Sequence, residues 1–364
     1  MTANAGPRRA LVIGAGPIGC STAAYLSHKG LSVTLYDIFE EAVEPVRQAG
    51  LVRVKGPVLD GDFAVAKATT DIAEALEDQQ LVMFCVPSSA HEAVARAAAP
   101  HLQDGAIIFI QPGATLSALA ITHALREAGF TGDVTPVETL NTIFTARLAE
   151  PGVVELYAIK KKNIFAALPA SRTGDVAQIF QPLFESLEPC SSVLEVSMIN
   201  PNGTLHPVVT LLNVGQIDRG EDFLYYMDGA TPYVSQLIEA CDAERVAVAK
   251  ALGVPTFAII DWYRSVYGGH YPNMYQTLQN VRPYATIKGP KTMNTRLLLE
   301  DIPTGSVPYC SLGEAVGVET RAIRALIDIC CVLYETDFWA TGRTLERFGL
   351  GGADKATILK LLGP

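Results

Sequence analysis

The sequence lacks the features of a secreted, membrane-spanning or nucleic-acid-binding protein. None of its seven cysteines forms a C-x-x-C pair, and an odd cysteine count without metal-ligand spacing predicts reduced thiols in a cytoplasm and no metal site. We expect no signal peptide, and no apolar run reaches the roughly 18 residues of a spanning helix. With 28 basic and 38 acidic residues the net charge is −10, which argues against nucleic-acid or anionic-membrane partners.

What remains is the composition of a globular enzyme. The 364 residues are enough for two domains with a sizeable core. Hydrophobic residues make up 49% of the chain and charged residues 18%, an ordinary balance for such proteins. The positive mean hydropathy of +0.23 predicts a large core and allows a buried subunit interface, as in a homodimer.

The chain is organised around residues 10–37, which read ALVIGAGPIGCSTAAYLSHKGLSVTLYD. A short apolar run predicts a buried strand, GAGPIG follows it, and a helix and a second strand come next. In this context G-x-G-x-x-G predicts a dinucleotide-binding turn, with the pyrophosphate on the helix N-terminus. The alternative is a glycine-rich turn without a ligand. The loop residues predicted to bind the cofactor are Gly14, Gly16, Pro17, Ile18 and Gly19.

Asp37 bears on which cofactor is bound. It ends the second predicted strand, 23 residues after Gly14 (37 − 14), close to the spacing of about 20 for the acid that binds a ribose 2′-hydroxyl. A carboxylate there repels a 2′-phosphate, and residues 38–41 bring no arginine. We therefore expect NAD(H) to be preferred over NADP(H).

Alternating strands and helices continue to about residue 197. Leu81–Val86 and Ala106–Ile110 are apolar runs of the kind found in parallel sheets. The pattern predicts one large, doubly wound, Rossmann-type parallel sheet with helices on both faces. Val86 and Pro87 end a strand at its carboxyl edge, where the cofactor is expected.

Two local predictions complete this half of the chain. Val153–Ile159 and Asn163–Leu168 are predicted to form a hairpin around three consecutive lysines, residues 160–162. Ser192–Val196 is predicted to be a strand. From residue 198 onwards strand signals almost disappear, so we expect a dinucleotide-binding domain over residues 1–197 and an all-helical substrate domain over 198–364.

Two polar clusters stand out in the helical half. Turn-forming residues surround His206 just before an apolar helix, and Arg296 precedes the acidic pair of Glu300 and Asp301. His206 and Asp301 would make a general acid/base dyad, in which the carboxylate fixes the tautomer of the imidazole. The fork of Arg296 suits a carboxylate. The alternative for His206 is a structural histidine at the start of a helix.

These clusters carry a resemblance to a known family. The sequence resembles the opine dehydrogenases, which include octopine and nopaline dehydrogenases and N-(1-carboxyethyl)-norvaline dehydrogenase. Besides GAGPIG, it shares N-x-x-x-H-P from Asn202 to Pro207 and R-x-x-x-E-D-I-P-x-G from Arg296 to Gly305. Glu138 begins a segment similar to the family's E-T-L loop near the nicotinamide, although the aromatic residue that often follows is absent.

The resemblance implies a reductive condensation. The amine of an amino acid and a 2-oxo acid such as pyruvate form an imine, which NADH reduces to an N-(1-carboxyalkyl) amino acid. His206 would be the acid/base held by Asp301, and Asn202 and Arg296 would bind substrate oxygens. With the hydride donor on one domain and this site on the other, a cleft between domains is expected to exclude water from the imine.

Two other functions remain open at this point. One is a ketopantoate-reductase-like or glycerol-3-phosphate-like dehydrogenase, which would use a catalytic lysine; Lys288 and Lys291 are the candidates, in a stretch that favours a solvated loop. The other is a non-catalytic NAD(H) sensor, which leaves both polar clusters unexplained. Six aromatic residues of the helical half fit either a pocket or the core: Tyr225, Tyr226, Trp262, Tyr263, Tyr267 and Tyr271.

Overall fold

Two sheets account for the twelve strands found within residues 7–364, the part of the chain that this computed structural model describes. In chain order the strands are β1 (Arg9–Ile13), β2 (Ser32–Tyr36), β3 (Leu51–Lys55), β4 (Gly61–Ala64), β5 (Lys67–Thr69), β6 (Leu81–Phe84), β7 (Ala106–Ile110), β8 (Val134–Thr139), β9 (Phe144–Glu150), β10 (Val153–Ile159), β11 (Asn163–Ala167) and β12 (Leu187–Pro189). All of them belong to the first of two units, formed by the chain up to Gly113, Ser117–Val196 and Leu362–Pro364.

The main sheet has eight strands in the order β12-β11-β8-β7-β6-β1-β2-β5. The six from β8 to β5 are mutually parallel, while β11 runs antiparallel to β8 and parallel to β12. Their apolar runs are buried because helices cover a parallel sheet on both faces. The fold class predicted for this half is confirmed, but the sheet is mixed rather than wholly parallel.

The helices of this unit lie between the strands. They are α1 (Pro17–His28), α2 (Glu40–Ala49), α3 (Ile72–Leu76), α4 (His91–Ala98), α5 (Ser117–Glu127), α6 (Thr173–Phe180) and the first residues of α7 (Val193–Ile199). Helix α1 follows β1 directly and carries the glycine loop at its N-terminus.

The predicted hairpin around the three lysines is wrong. Strand β10 pairs with β9 and β3 in a second sheet of order β4-β3-β10-β9, whereas β11 joins the main sheet beside β8. In β10, Val154 and Leu156 are buried, while Glu155 between them and Tyr157 after them are exposed. This one-sided pattern suits a sheet with one solvated face, and the ring of Phe144 in β9 lies 5.4 Å from that of Tyr25 in α1.

The strand predicted at Ser192–Val196 is also wrong, because these residues begin α7. The Ser192 hydroxyl accepts the backbone N–H of Glu195 at 3.2 Å, and the Glu195 carboxylate reaches back to the N–H of Ser191 at 2.8 Å. These reciprocal bonds resemble a capping box, a helix-start signal that outweighs the β-branched composition.

The second unit, Ala114–Leu116 with Ser197–Leu361, is helical. Its helices are the end of α7, α8 (Asn202–Leu211), α9 (Val214–Asp218), α10 (Pro232–Leu252), α11 (Ile259–Tyr267), α12 (Met274–Gln279), α13 (Arg296–Leu299), a π-helix (Ile302–Ser306), α14 (Val307–Ala315), α15 (Arg321–Leu333), α16 (Phe338–Thr341) and α17 (Lys355–Leu362), whose last residue belongs to the first unit. One isolated β-bridge joins Leu224 and Lys288 among the described residues of this unit. The all-helical prediction is thus confirmed.

All seven cysteines are free thiols. Burial is the first cause that raises the pKa of six of them, for example to about 12 at Cys20 and Cys85, so these thiols stay protonated near neutral pH. Across residues 7–364, we find no helix with both the length and the apolar character needed to cross a bilayer.

Candidate active site

The glycine loop between β1 and α1 is closely packed on one side. Gly14 has φ +106°, and a Cβ there would lie 2.7 Å from the Cys85 carbonyl oxygen. A Cβ on Gly19 would lie 1.6 Å from the Gly14 carbonyl oxygen. Only glycine fits at either position without moving the backbone. A Cβ on Gly16, by contrast, would meet no heavy atom within 4 Å, so the loop is open where a ligand would approach it.

Asp37 lies at the end of β2 and contacts this loop. Its carboxylate accepts the backbone N–H of Ala15 at 2.7 Å and that of Phe39 at 3.1 Å. Gly16 precedes α1 and Pro17 begins it, so the N–H groups of Ile18 and Gly19 are first-turn donors without intrahelical acceptors. An open glycine, free helix-start donors and a neighbouring carboxylate fit a dinucleotide.

The other residues predicted to contact the cofactor lie at the ends of β6 and β8. Val86 is half-buried, and its Cγ1 would lie 3.0 Å from a Cβ on Gly14; Pro87 follows it at the surface. Glu138 is fully buried, and its carboxylate accepts the N–H of Ala118 in the first turn of α5 at 2.9 Å. This bond gives Glu138 a supporting role in the fold; its contact with a cofactor stays a prediction.

In the second unit, His206 and Asp301 are in direct contact although 95 residues separate them in sequence. Nδ1 of His206 lies 2.7 Å from Oδ2 of Asp301, and each side chain is 17% exposed. Because an ionised carboxylate only accepts, Nδ1 carries the proton in this pair. Nε2 has no hydrogen-bond partner among the described residues, so it is available to a ligand.

Two glycines bring these side chains together. A Cβ on Gly203 in α8 would lie 2.7 Å from the carbonyl carbon of Gly305 and 2.8 Å from the nitrogen of Ser306. The Ser306 hydroxyl donates to the Gly203 carbonyl at 2.7 Å. The two backbones therefore touch three residues before His206 and four residues after Asp301. Both glycines fall within the motifs, but the sequence analysis did not identify this contact.

Two buried tyrosines support the backbone near His206. The Tyr225 hydroxyl lies within 2.9 Å of the His206 carbonyl and 2.8 Å of the Thr210 hydroxyl. The Tyr309 hydroxyl donates to the Asn200 carbonyl just before α8. Sequence reasoning missed the supporting role of both tyrosines, because neither lies in a motif. They anchor the chain on both sides of the histidine.

Arg296 and Asn202 are available to a ligand. Arg296 begins α13 after the Thr295 cap, and its side chain is 76% exposed. The carboxylate of Glu300 lies 3.9 Å away, too far for a hydrogen bond. Asn202 begins α8 and is half-buried; its side-chain amide makes no hydrogen bond to another described residue. Both groups can therefore bind substrate oxygens.

Three of the six aromatic residues singled out in this unit lie in its core. Tyr225, Tyr226 and Tyr263 are at most 6% exposed, and Tyr226 stacks on Tyr284 with ring centroids 4.3 Å apart. Burial is the main reason that the pKa of Tyr226 lies well above its usual value. These three rings pack against other side chains, as core residues do.

The two lysines considered for a different dehydrogenase mechanism lie at the surface. Lys291 donates to the exposed Asp222 carboxylate at 2.5 Å and to the Gly220 carbonyl at 3.3 Å. Lys288 is exposed in the same loop. Neither has the buried setting expected of a catalytic lysine.

Comparisons with known proteins agree with this architecture. Residues 189–334 match the family described as NAD/NADP octopine/nopaline dehydrogenase, alpha-helical domain, and residues 10–168 match ketopantoate reductase PanE/ApbA. The opine dehydrogenase of Arthrobacter sp. (strain 1C) is 38% identical over 347 residues, which cover 95% of this chain and 96% of that protein. Vitopine synthase of Allorhizobium ampelinum is 26% identical over 87% of each.

A solved structure shares the fold over nearly the whole chain. Octopine dehydrogenase in complex with NADH and L-arginine superimposes with a TM-score of 0.82 at 21% identity, over 96% of this chain and 97% of that one. The sheet topology and glycine loop define a protein with a Rossmann-type dinucleotide domain. The similarity to the Arthrobacter enzyme goes further: the chain belongs to the opine dehydrogenase family. It is an NAD(H)-using oxidoreductase of CH–NH bonds, which joins an amino acid to a 2-oxo acid by reduction.

Proposed function

We propose that His206 and Asp301 are the acid/base dyad of this reductive condensation, with a pyruvate-like 2-oxo acid as one substrate. The observation that carries the proposal is the 2.7 Å contact between Nδ1 and the Asp301 carboxylate, which leaves Nε2 free. A histidine fixed in one tautomer can give a proton through Nε2 and take it back.

The reaction needs a proton at two points. The amine adds to the keto carbon, and protonated Nε2 of His206 donates to the oxygen as the carbon–oxygen double bond becomes single. His206 takes back the proton that the attacking nitrogen loses and donates it to the same oxygen, which leaves as water as the carbon–nitrogen double bond forms. NADH, when bound, supplies the hydride for the imine carbon. Asp301 stabilises the charged imidazolium throughout.

The substrates present carboxylates to the protein. Arg296 offers a planar fork that binds one carboxylate through two parallel hydrogen bonds. Asn202 offers both a donor and an acceptor from one amide, which suits a carbonyl or carboxylate oxygen near His206. These two side chains would hold the reacting carbon near the dyad.

The preference for NADH over NADPH rests on Asp37. Its carboxylate lies where the ribose of a dinucleotide would be bound, and a 2′-phosphate there would meet like charge. A yersinopine dehydrogenase with a TM-score of 0.76 to this chain at 15% identity has been solved with NADP⁺, so proteins of this fold differ in cofactor. In this chain the acid favours NADH.

Assembly and location are the remaining parts of the proposal. Val332 is 78% exposed on α15, where Ile329 and Leu333 are also about half exposed, and an apolar stripe of this kind favours a homodimer. The seven free thiols favour the cytoplasm, a reducing compartment. Light scattering on the purified protein would give the mass; a monomer at micromolar concentration would contradict the dimer.

The test of the proposed function measures NADH oxidation with pyruvate, with a mixture of amino acids, and with both. An opine dehydrogenase oxidises NADH only with both; a ketoacid reductase needs pyruvate alone, and a sensor shows no turnover. Because general acid/base catalysis contributes about 10²–10⁴-fold, His206→Ala should lower kcat by that order while NADH still binds. Asp301→Asn should fall in the same range.

The double variant of His206 and Asp301 separates a dyad from two independent groups. Residues that act as one catalytic unit are strongly non-additive, so the double variant should be little slower than the slower single variant. Near-normal kcat in His206→Ala would disprove the acid/base role.

A further inference from the structure

The three consecutive lysines at residues 160–162 differ sharply in their surroundings. Lys162 is 67% exposed and pairs with the Glu188 carboxylate at 2.7 Å. Lys160 is instead half-buried, and its ammonium group donates to the Thr142 hydroxyl at 3.1 Å. Burial lowers the pKa of Lys160 from 10.5 to about 8. Among the described residues, no carboxylate lies within ion-pair distance of it.

This arrangement leaves the Lys160 ammonium with few hydrogen-bond acceptors and no neighbouring negative charge. It has three N–H donors, and Thr142 takes one of them. The Thr142 hydroxyl in turn donates to the carbonyl of Phe144 at 3.0 Å, so it offers an oxygen but no negative charge. Burying a cation without a counter-charge is costly, and this site would therefore gain from an anion.

The segment that carries Thr142 is held rigidly. Asn163 bonds to both backbone groups of Asn141, with its Oδ1 3.0 Å from the N–H and its Nδ2 2.6 Å from the carbonyl. The N–H of Lys160 donates to the Ile143 carbonyl at 2.9 Å, and the N–H of Ile143 donates to Gln111 Oε1 at 3.2 Å. The lysine and the threonine are thus positioned before any ligand arrives.

The sheet order excludes one candidate for this anion, the pyrophosphate of the cofactor. Thr142 and Gln111 follow the carboxyl ends of β8 and β7, at the edge where ligands bind in doubly wound sheets. The cofactor's pyrophosphate is expected at α1, after β1, and β8 is the third strand from β1. With about 4.8 Å between neighbouring strands, β8 lies about 14 Å from β1. The anion is therefore not the pyrophosphate.

We propose that Lys160, together with Thr142, binds a carboxylate of a substrate, separate from the one held by Arg296. This inference rests on the proposed function, whose two substrates each carry a carboxylate. Each substrate carboxylate then has a cationic side chain to bind it, Lys160 for one and Arg296 for the other. Lys160 is a binding residue in this proposal and exchanges no proton with the reacting atoms.

The test compares Lys160→Met with Lys162→Met, a matched change two residues away in the exposed position. Because a hydrogen bond to a charged group is lost, Lys160→Met should raise the KM of one substrate about ten- to hundred-fold and leave the NADH Kd unchanged. Lys162→Met should behave as wild type. If Lys160→Met does not fold, Lys160→Gln, which keeps a hydrogen-bond donor but carries no charge, is measured in its place.

A binding measurement separates this proposal from the proposed function. Pyruvate titrated calorimetrically into the NAD⁺-loaded enzyme, and each amino acid in parallel, reports binding without turnover. The cation is present below its pKa and lost as the pH rises through about 8, so the Kd of the affected carboxylate should rise between pH 7 and pH 9. Lys160→Arg should bind without this rise, because arginine stays charged. Burial alone accounts for the lowered pKa of Lys160.

Two results would overturn the inference. In one, Lys160→Met and Lys160→Gln match Lys162→Met in both KM values and in carboxylate binding. In the other, they weaken NADH binding and leave both substrates unaffected, which would assign the lysine to the cofactor. An enzyme that turns over no pair of substrates would contradict the proposed function alone, since the calorimetric comparison would still test Lys160.

Discussion

The contact between Gly203 and Gly305 should control the dyad, and Gly203→Ala tests this. The added methyl would lie 2.7 Å from the carbonyl carbon of Gly305, whereas ordinary contact begins at 3.4 Å. Relief requires the two backbones to separate by 0.7 Å (3.4 − 2.7). If His206 moves with α8, its 2.7 Å contact with Asp301 lengthens to about 3.4 Å, beyond the usual range of a hydrogen bond.

The expected loss of activity is much larger than the loss of stability. A displacement of about 1 Å at a catalytic group can cost about 10²-fold, so kcat should fall roughly ten- to hundred-fold. Overpacking costs about 1–3 kcal/mol, but alanine is better than glycine inside a helix by about 0.5–1 kcal/mol. The net destabilisation should therefore stay below about 2.5 kcal/mol, and the variant should remain folded.

The assay is the steady-state kcat with both substrates saturating, with thermal unfolding and NADH binding measured on the same samples. Gly215→Ala is the matched control, since a methyl on this glycine in α9 would meet only the Arg219 side chain, at 3.6 Å. It should keep the wild-type kcat. A folded Gly203→Ala enzyme with wild-type kcat would refute the argument, because the glycine contact would then not set the geometry of the dyad.

Two further predictions concern the cofactor and substrate residues. Asp37→Ala should lower kcat/KM for NADH and narrow its advantage over NADPH, because both the ribose partner and the like charge are removed; a wild-type enzyme that prefers NADPH would contradict this. Arg296→Lys should raise the KM of one carboxylate substrate, since a lost bond to a charged group costs roughly 1.5–3 kcal/mol. Unchanged KM values for both substrates would show that Arg296 has no binding role.

The cofactor loop could be anticipated from sequence because its contacts are local. Gly14 donates to the Tyr36 carbonyl at 2.7 Å and Ala15 to Asp37 at 2.7 Å, and one strand–helix–strand unit contains all four residues. His206 and Asp301 are different, since 95 residues separate them. Periodicity carries no information about that contact, and only the shared motifs suggested it.

The two wrong predictions, the hairpin around the three lysines and the strand at Ser192–Val196, have different causes. Strand β10 pairs in parallel with β3, about a hundred residues earlier, and a run of three lysines between strands cannot reveal so distant a partner. The same run hid the burial of Lys160, because a sequence of lysines is typical of a solvated turn. At α7 the capping pattern from Ser192 to Glu195 was present, and the strand-forming residues that follow it were given too much weight.

The short segment Ala114–Leu116 limits how this protein can be dissected. It precedes the helical unit in sequence by eighty residues yet belongs to it: the N–H of Leu116 donates to the Ser197 hydroxyl at 2.9 Å, and the carbonyl of Thr115 accepts from the buried Arg343 at 3.0 Å. A fragment that starts at residue 198 would lose both partners. The helical unit expressed alone would therefore have an incomplete core. The two halves should be expressed and engineered as one chain.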